Sequence, residues 1–567
     1  MLNFSLIKKV LSKKEFNKFI FINFLNFFHF IFDLLSIISI PIFVSILIDQ
    51  NLILKKIDLF LNEYLKNNFL LLSIGLVIII FLIKNFFYLF IINYQNNFLK
   101  RLKLKLYKNI FNKYLFSNYE KFLSYNPSEV SKNTTIVIQE FSLYLTQLTN
   151  IVRESSSIII IIICLSIVKP IIVIPAIIFF TSFIFFYFKS LRHKITSKSF
   201  YNQQLYKTFT QLVHECFNGI KDLKVLNKEE EIFKIYSNKI QLYEENISFF
   251  VIFEKLPKFL LEIISIIFLL LISYFMFSYS TSLQDLIPIL TFMVISIVRL
   301  LPAFTSLSSS YFYKRIYEPS LKILILELDK FNHNHHEVHK NFNYFDNPKN
   351  ISVILNNVTF NYSSNKNLAN LSNINLEIKK GDITGIVGKT GSGKTTLFNV
   401  MLGLLKPKNG TVKFNNEYKN LSDKIGYVSQ NIFLLNDTIE KNIIFNFNNE
   451  KIDKVKLDKA IFISDLKKTI EQLPKNIHTE VGINGVNLSG GEKQRIAIAR
   501  AIYRNPEILF LDEFTSSIDS DTEDKIIERL LQYFQNKTII LIAHRKSTIA
   551  MCKSVWFLEN GSLRQIK

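Results

Sequence analysis

A chain of 567 residues is longer than one hydrophobic core supports, so at least two domains are expected. Hydrophobic residues make up 49% of it and phenylalanine alone supplies 55 positions, yet 20% of the residues are charged, which excludes a wholly water-soluble and a wholly membrane-embedded protein alike. The formal net charge of +22 suits a nucleic-acid binder in total but not in placement, because Lys and Arg crowd 8–18, 100–113 and 189–239, each beside an apolar stretch, as cytoplasmic loops of membrane proteins do.

A membrane-spanning helix needs about 20 mostly apolar residues. On that criterion spans are expected near 19–48, 69–95, 142–168, 171–190, 257–280 and 284–307. The first is too long for the apolar region of a signal peptide and lacks a small-residue cleavage site, so it reads as a retained helix. An even number of spans returns the chain to its starting side. The lysine-rich amino terminus and everything after the last span then share the cytoplasm, in a cytoplasmic (inner) membrane. Between the first two spans, Ile53, Ile57, Phe60, Leu61, Tyr64 and Leu65 recur at helical spacing against Lys55, Lys56, Asp58, Glu63 and Lys66. That is an outer amphipathic helix, which either covers the bundle or contacts lipid. The connections at 96–140 and 191–256 are long and amphipathic, able to extend the helices past the bilayer. In the second, Asn218 to Asp222 is a helix breaker, either a contact element or a surface turn. Arg299 lies in the sixth span, where a charge costs at least ~2.5 kcal/mol, so it should face a cavity. It either meets an anionic substrate or pairs with an acidic residue such as Asp33.

The domain plan that follows is a transmembrane domain over 1–310, a linker over 311–350 and a turn-rich, glycine-containing domain over 351–567. The linker carries His333, His335, His336 and His339 without a second ligand group at metal spacing, and reads as solvated chain. Cys164, Cys216 and Cys552 form neither a metal pattern nor a disulfide framework.

The last domain holds the chemistry. The strand-like run 383–387 is followed by Gly388, Lys389, Thr390, Gly391, Ser392, Gly393, Lys394, Thr395 and Thr396, and then by a helical pattern. This is a P-loop in its strand-loop-helix context: backbone N–H groups close on phosphate, Lys394 supplies a positive charge, and the Thr395 hydroxyl can ligate Mg²⁺. A second strand, 508–511, ends in Asp512 and Glu513, one carboxylate for the metal shell and one to orient or deprotonate the attacking water. ATP and Mg²⁺ are the expected cofactors.

Between these two elements stands Leu488-Ser489-Gly490-Gly491-Glu492-Lys493-Gln494-Arg495, and on this octapeptide the chain resembles the ABC ATPases. The resemblance extends over 351–567 and implies further roles. Tyr362 resembles the aromatic that stacks on adenine, Gln430 the glutamine that reaches the metal, His544 the switch histidine, and Thr479-Glu480-Val481-Gly482 the short motif that marks exporters. Phe514 stands where the family has a small residue, Ser429 where proline is common, and Ser516-Ser517-Ile518-Asp519 where Ser-Ala-Leu-Asp is usual. The resemblance also implies that Ser489, Gly490 and Gly491 complete the phosphate site of another chain, so two chains must pair, most simply as a homodimer. A helical bundle of six spans followed by an α/β ATPase of this kind is an ABC exporter half. The layout, the outer amphipathic segment and Arg299-Leu300-Leu301-Pro302 are similar to bacterial lipid-linked oligosaccharide flippases, which implies ATP-driven movement of a polyprenyl-pyrophosphate glycan. A multidrug, lipid A or peptide exporter shares every ATPase motif, and a non-cycling, ATP-gated channel is the remaining class.

Overall fold

The computed structural model describes residues 4–48, 69–168, 170–279, 283–330, 343–345, 350–362, 370–418, 421–447, 452–543 and 545–567. The outer amphipathic segment, with Phe60 and Leu61, the histidine cluster of the linker and His544 lie outside the described residues. The chain divides into two compact units, one of residues 1–116 and 125–335, the other of 117–124 and 336–567.

The first unit is helical. Its long elements are α1 (Lys13–Ile48), α2 (Phe69–Leu115), α3 (Ile136–Val168), α4 (Pro170–Asn218), α5 (Glu229–Tyr279) and α6 (Leu283–Lys330). Among the described residues, α1 and α2 meet the length and apolarity needed to cross a membrane. At 1.5 Å per residue the 47 residues of α2 reach about 70 Å, well beyond a hydrocarbon core of about 30 Å. The amphipathic connections are thus largely extensions of the long helices, broken by short helices over Tyr119–Phe122 and Pro127–Thr134 in the first and Ile220–Val225 in the second. The reason is visible in α2, where Leu99, Leu102, Leu106 and Ile110 keep a helical stripe and are buried while lysines fill the other face. Nearer the amino end of α2, Leu71, Leu76, Ile79 and Phe86 are exposed, and polar residues such as Asp33 and Lys84 are buried instead. That inversion suits a lipid surround. Helix α4 stops at Asn218, Gly219 precedes a short helix over Ile220–Val225, and Phe217, Val225 and Leu226 are exposed around this break. Helix α6 runs to Lys330, past the end expected at 310, because Phe312, Leu321, Leu324 and Ile325 continue its buried stripe.

The second unit is α/β. A four-stranded sheet has the order β1-β5-β2-β3, built from β1 (Asn343–Phe345), β2 (Ile351–Phe360), β3 (Leu371–Lys379) and β5 (Asn409–Asn415). A six-stranded sheet has the order β10-β9-β4-β8-β7-β6, from β4 (Ile383–Val387), β6 (Ile425–Val428), β7 (Ile508–Asp512), β8 (Thr538–Ile542), β9 (Ser554–Glu559) and β10 (Ser562–Gln565). Strands β7 and β8 are buried at every position, as the apolar runs 508–511 and 539–542 require of central parallel strands. Strands β9, β4, β8, β7 and β6 all run parallel. Their carboxyl ends therefore lie along one edge of the sheet, where loops that bind ligands gather in open α/β folds.

Candidate functional site

That edge collects the sequence-predicted nucleotide residues. The P-loop leaves β4 and leads into α7 (Lys394–Met401); Asp512 ends β7 and Glu513 follows it; Gln430 follows β6. The glycines are there for close approach. A Cβ on Gly388 would stand 2.3 Å from the Leu558 carbonyl oxygen, and Gly393, at φ +101°, would put one 2.8 Å from the Asn370 carbonyl oxygen. The Lys394 ammonium donates to the carbonyl oxygens of Gly388 (2.9 Å) and Lys389 (3.1 Å), curling back over its own loop. Burial lowers its pKa, opposed by the charges of Glu513 and Asp512. The Ser392 Oγ is buried without a hydrogen-bond partner, whereas Gly391 and Thr395 are exposed at the mouth of the loop.

Asp512 is 1% exposed and neither carboxylate oxygen has a hydrogen-bond partner. Burial, and then the charge of Glu513 beside it, pushes its pKa up to about 6, with Lys394 pulling the other way. A buried carboxylate left without donors, next to a P-loop ammonium, fits a site for a divalent cation that keeps it ionised. Glu513 sits in left-handed backbone at φ +49°, and its Oε2 accepts a hydrogen bond from Gln430 Nε2 at 2.9 Å. The topology thus brings together two residues far apart in sequence, beside the P-loop edge of the sheet. Tyr362 packs edge-on against Phe360, with its hydroxyl 3.4 Å from that of Thr396. Phe514 is 1% exposed and turned into the core, so the departure at this position fills the interior. Thr438 bridges Glu480 in the short motif before the signature.

The signature opens α8 (Gly490–Tyr503). Ser489 caps this helix: its hydroxyl accepts the Glu492 N–H, and the Glu492 carboxylate takes the Ser489 N–H at 2.7 Å. The capping box uses the Ser489 hydroxyl as an acceptor and leaves its proton uncommitted. The signature and the P-loop lie on distinct elements of the unit.

In the helical unit, Asp33 of α1 pairs with Lys84 of α2 at 2.5 Å, accepts from Ser157 of α3 at 2.7 Å and lies 3.3 Å from His29 Nδ1. The sequence-based alternative that paired Asp33 with Arg299 is corrected here: the carboxylate faces Lys84. Arg299 of α6 is half-buried and within electrostatic reach of the Lys84 ammonium. Nearby in sequence, Arg153 pairs with Glu154 at 2.6 Å and donates to the Tyr88 hydroxyl at 2.6 Å. Lys84 is not among the residues expected from the sequence, although it interrupts an apolar run just as Arg299 does.

Comparison with known proteins agrees with this geometry. Residues 371–516 match the ABC transporter family. A putative export ATP-binding/permease protein of Rickettsia typhi is 37% identical over 232 residues, 40% of each chain. An ATP-dependent lipid A-core flippase of Ralstonia nicotianae is 37% identical over 213 residues, 36% of each chain. These matches thus span about two fifths of the relatives' length. The structure of a bacterial Atm1-family ABC exporter with ATP bound superimposes with a TM-score of 0.73 at 20% identity, over 98% of this chain and 95% of that one. The second unit is an ABC ATPase domain, and the fold of the whole is that of an ABC exporter. The family match lies within the second unit, and the likeness over the full length is one of fold, a helical domain joined to an α/β ATPase-type domain.

Proposed function

We propose that two copies of this chain form an ATP-driven exporter or flippase in the cytoplasmic membrane, with the amino terminus and the ATPase domain in the cytoplasm, and that the cargo is an amphipathic lipid with a phosphate-bearing headgroup. The observation that carries the ATPase reading is the Gln430–Glu513 hydrogen bond at the sheet edge shared with the P-loop and Asp512. In this reading Tyr362 stacks on adenine, residues 388–396 cradle the phosphates, and Lys394 leaves its carbonyl partners for the terminal phosphates. Thr395, Asp512 and Gln430 would hold Mg²⁺, which supplies charge neutralisation for the phosphoryl oxygens. Glu513 takes or orients the proton of the attacking water while Gln430 fixes its carboxylate, and His544 is assigned to the terminal phosphate. Ser489, Gly490 and Gly491 act on the nucleotide of the partner chain.

The cargo reading rests on Lys84, paired with Asp33, and on Arg299, a second cation within electrostatic reach of it inside an apolar bundle. An anionic headgroup relieves their mutual repulsion, and guanidinium binds phosphate oxygens in a fork. A polyprenyl-pyrophosphate oligosaccharide and a lipid A-core type of lipid both carry that chemistry. The second deserves its own arm because relatives over the ATPase domain include proteins named lipid A-core flippases. Purified protein in vesicles, given ATP and each labelled lipid in turn, should hydrolyse ATP faster and move one of them between leaflets. Stimulation and transport by a drug or a peptide alone would overturn the lipid reading, and negligible turnover by the wild type would leave the non-cycling class.

A further inference from the structure

We propose that Gln494 is a positioning residue that ties the signature helix to the catalytic glutamate of the same chain, an inference that rests on the ATPase reading above. Gln494 lies on the first turns of α8 and is 1% exposed. Its side-chain amide bonds one short segment on three sides. Nε2 donates to the Glu513 carbonyl oxygen at 3.2 Å and to Ser516 Oγ at 2.8 Å, and Oε1 accepts the Ser517 N–H at 2.8 Å. The Ser517 donor fixes which end of the amide is oxygen, so both Nε2 protons are committed to residues 513 and 516.

Those contacts matter because of what Glu513 is doing. A side chain with a Cβ resists the left-handed backbone that Glu513 adopts at φ +49°, and such conformations persist only where surrounding bonds over-determine them. Three bonds do so here. The Glu513 N–H donates to Ile542 O at 3.3 Å, and its carbonyl oxygen accepts from both Ser516 N at 3.1 Å and Gln494 Nε2. Gln494 supplies the one member of this set that comes from the signature helix. Without it the backbone at 513 can relax toward an ordinary conformation, which swings the carboxylate away from Gln430.

The same helix begins at Ser489, and Gly491 backs directly onto this segment: a Cβ there would stand 3.0 Å from the Ser517 carbonyl oxygen. Signature and glutamate are therefore two ends of one hydrogen-bonded unit, although one serves the partner's nucleotide and the other its own. A shift of the signature on the partner's ATP reaches Glu513 through a buried amide rather than through solvent.

Two substitutions and two readouts test this. In Gln494→Leu the volume is kept and all three bonds are lost; kcat for ATP should fall at least tenfold while KM and nucleotide affinity stay within threefold. Gln494→Glu retains the Ser517 contact, and only its protonated form can donate to the Glu513 carbonyl, so the ratio of its turnover to the wild type's should rise as pH is lowered. Amide hydrogen exchange at 516–518 in nucleotide-free protein should speed up in Gln494→Leu, with β7 and β8 unchanged. This last readout holds even if the chain turns over no ATP, an outcome that would sink the proposed function and leave the positioning claim to stand on exchange alone. Unchanged exchange at 516–518, a pH-independent ratio for Gln494→Glu, or parallel loss of kcat and nucleotide affinity would each overturn the proposal.

Discussion

Glu513→Gln isolates the base from everything around it. The replacement amide keeps an oxygen that can accept the Gln430 Nε2 hydrogen bond, 2.9 Å long in the wild type, and leaves the backbone at φ +49° under the same restraints. Lys394 and the phosphate loop are untouched, so nucleotide should still bind. What disappears is the ability to take a proton, which general-base groups convert into about 10² to 10⁴ in rate. At about 1.4 kcal/mol per tenfold, that is a barrier increase of roughly 3 to 5.5 kcal/mol. The structure adds an internal check. Glu513 is the second cause, after burial, of the raised Asp512 pKa, so neutralising it should let Asp512 ionise at lower pH. Phosphate release measured at saturating Mg·ATP, beside equilibrium binding of a fluorescent nucleotide analogue, reads both effects. Turnover above a tenth of wild type, with binding intact, would remove Glu513 from the role assigned to it.

The remaining expectations are these. Because Asp512 carries a pKa of about 6, protons should compete with the divalent cation below that pH, weakening apparent Mg²⁺ affinity by up to about tenfold per unit, as titrations at several pH values would show. The same shift has a sign for stability: the folded carboxyl keeps its proton above its ordinary 3.8, so this group's contribution is present at low pH and is lost as pH rises through about 6 in metal-free protein, measurable by thermal melts. Chains carrying Lys394→Ala and Ser489→Arg, each inactive alone, should on mixing recover up to about a quarter of wild-type turnover, because half the dimers are mixed and each has one whole site; no recovery, together with an active monomer, would refute shared sites. Arg299→Ala should cut stimulation by a phosphate-bearing lipid while basal turnover survives, and equal loss of both would return Arg299 to a structural role.

How much was legible follows from where each constraint acts. The P-loop, the Asp512–Glu513 pair and the signature are local: phosphate binding dictates residue types at fixed spacing, and a strand-loop-helix context needs only the adjacent sequence. The Gln430–Glu513 contact is a product of strand order, since β6 and β7 become neighbours only in the folded parallel sheet. Gln494 was visible as part of the signature but not as a three-way donor and acceptor, because its partners at 513–517 are brought to it by the packing of α8. In the helical unit α1 and α2 could be read as candidate spans from apolar length, whereas the full reach of α2 required the buried stripe at Leu99, Leu102, Leu106 and Ile110 to be weighed above the lysines between them. The Lys84–Asp33 pair was beyond the sequence for a further reason: which faces of α1 and α2 meet depends on helix rotation, which an almost uniformly apolar pattern does not specify.

Under the proposed function, the buried charges bear on the cargo more closely than the family likeness does. Two acidic side chains at this level, Asp33 and Glu154, already answer Lys84 and Arg153 at 2.5 and 2.6 Å. Asp33 also accepts from Ser157, so each of its oxygens is already engaged, while Arg153 and Ser306 (3.1 Å) both meet Oε1 of Glu154. Arg299 then raises the local positive charge beside Lys84 in surroundings where an isolated charge is costly. A neutral amphipath leaves that cost in place, and a cationic drug increases it. A phosphate or pyrophosphate headgroup lowers it, and Lys84 can follow the headgroup only by loosening Asp33. Under the proposed function, loading the cargo and unlocking the α1–α2 ion pair are therefore one event. Asp33→Asn, which removes the competing charge but keeps a hydrogen-bonding side chain for Ser157, should tighten binding of the phosphate-bearing lipid and slow its release; weaker binding would place the headgroup elsewhere.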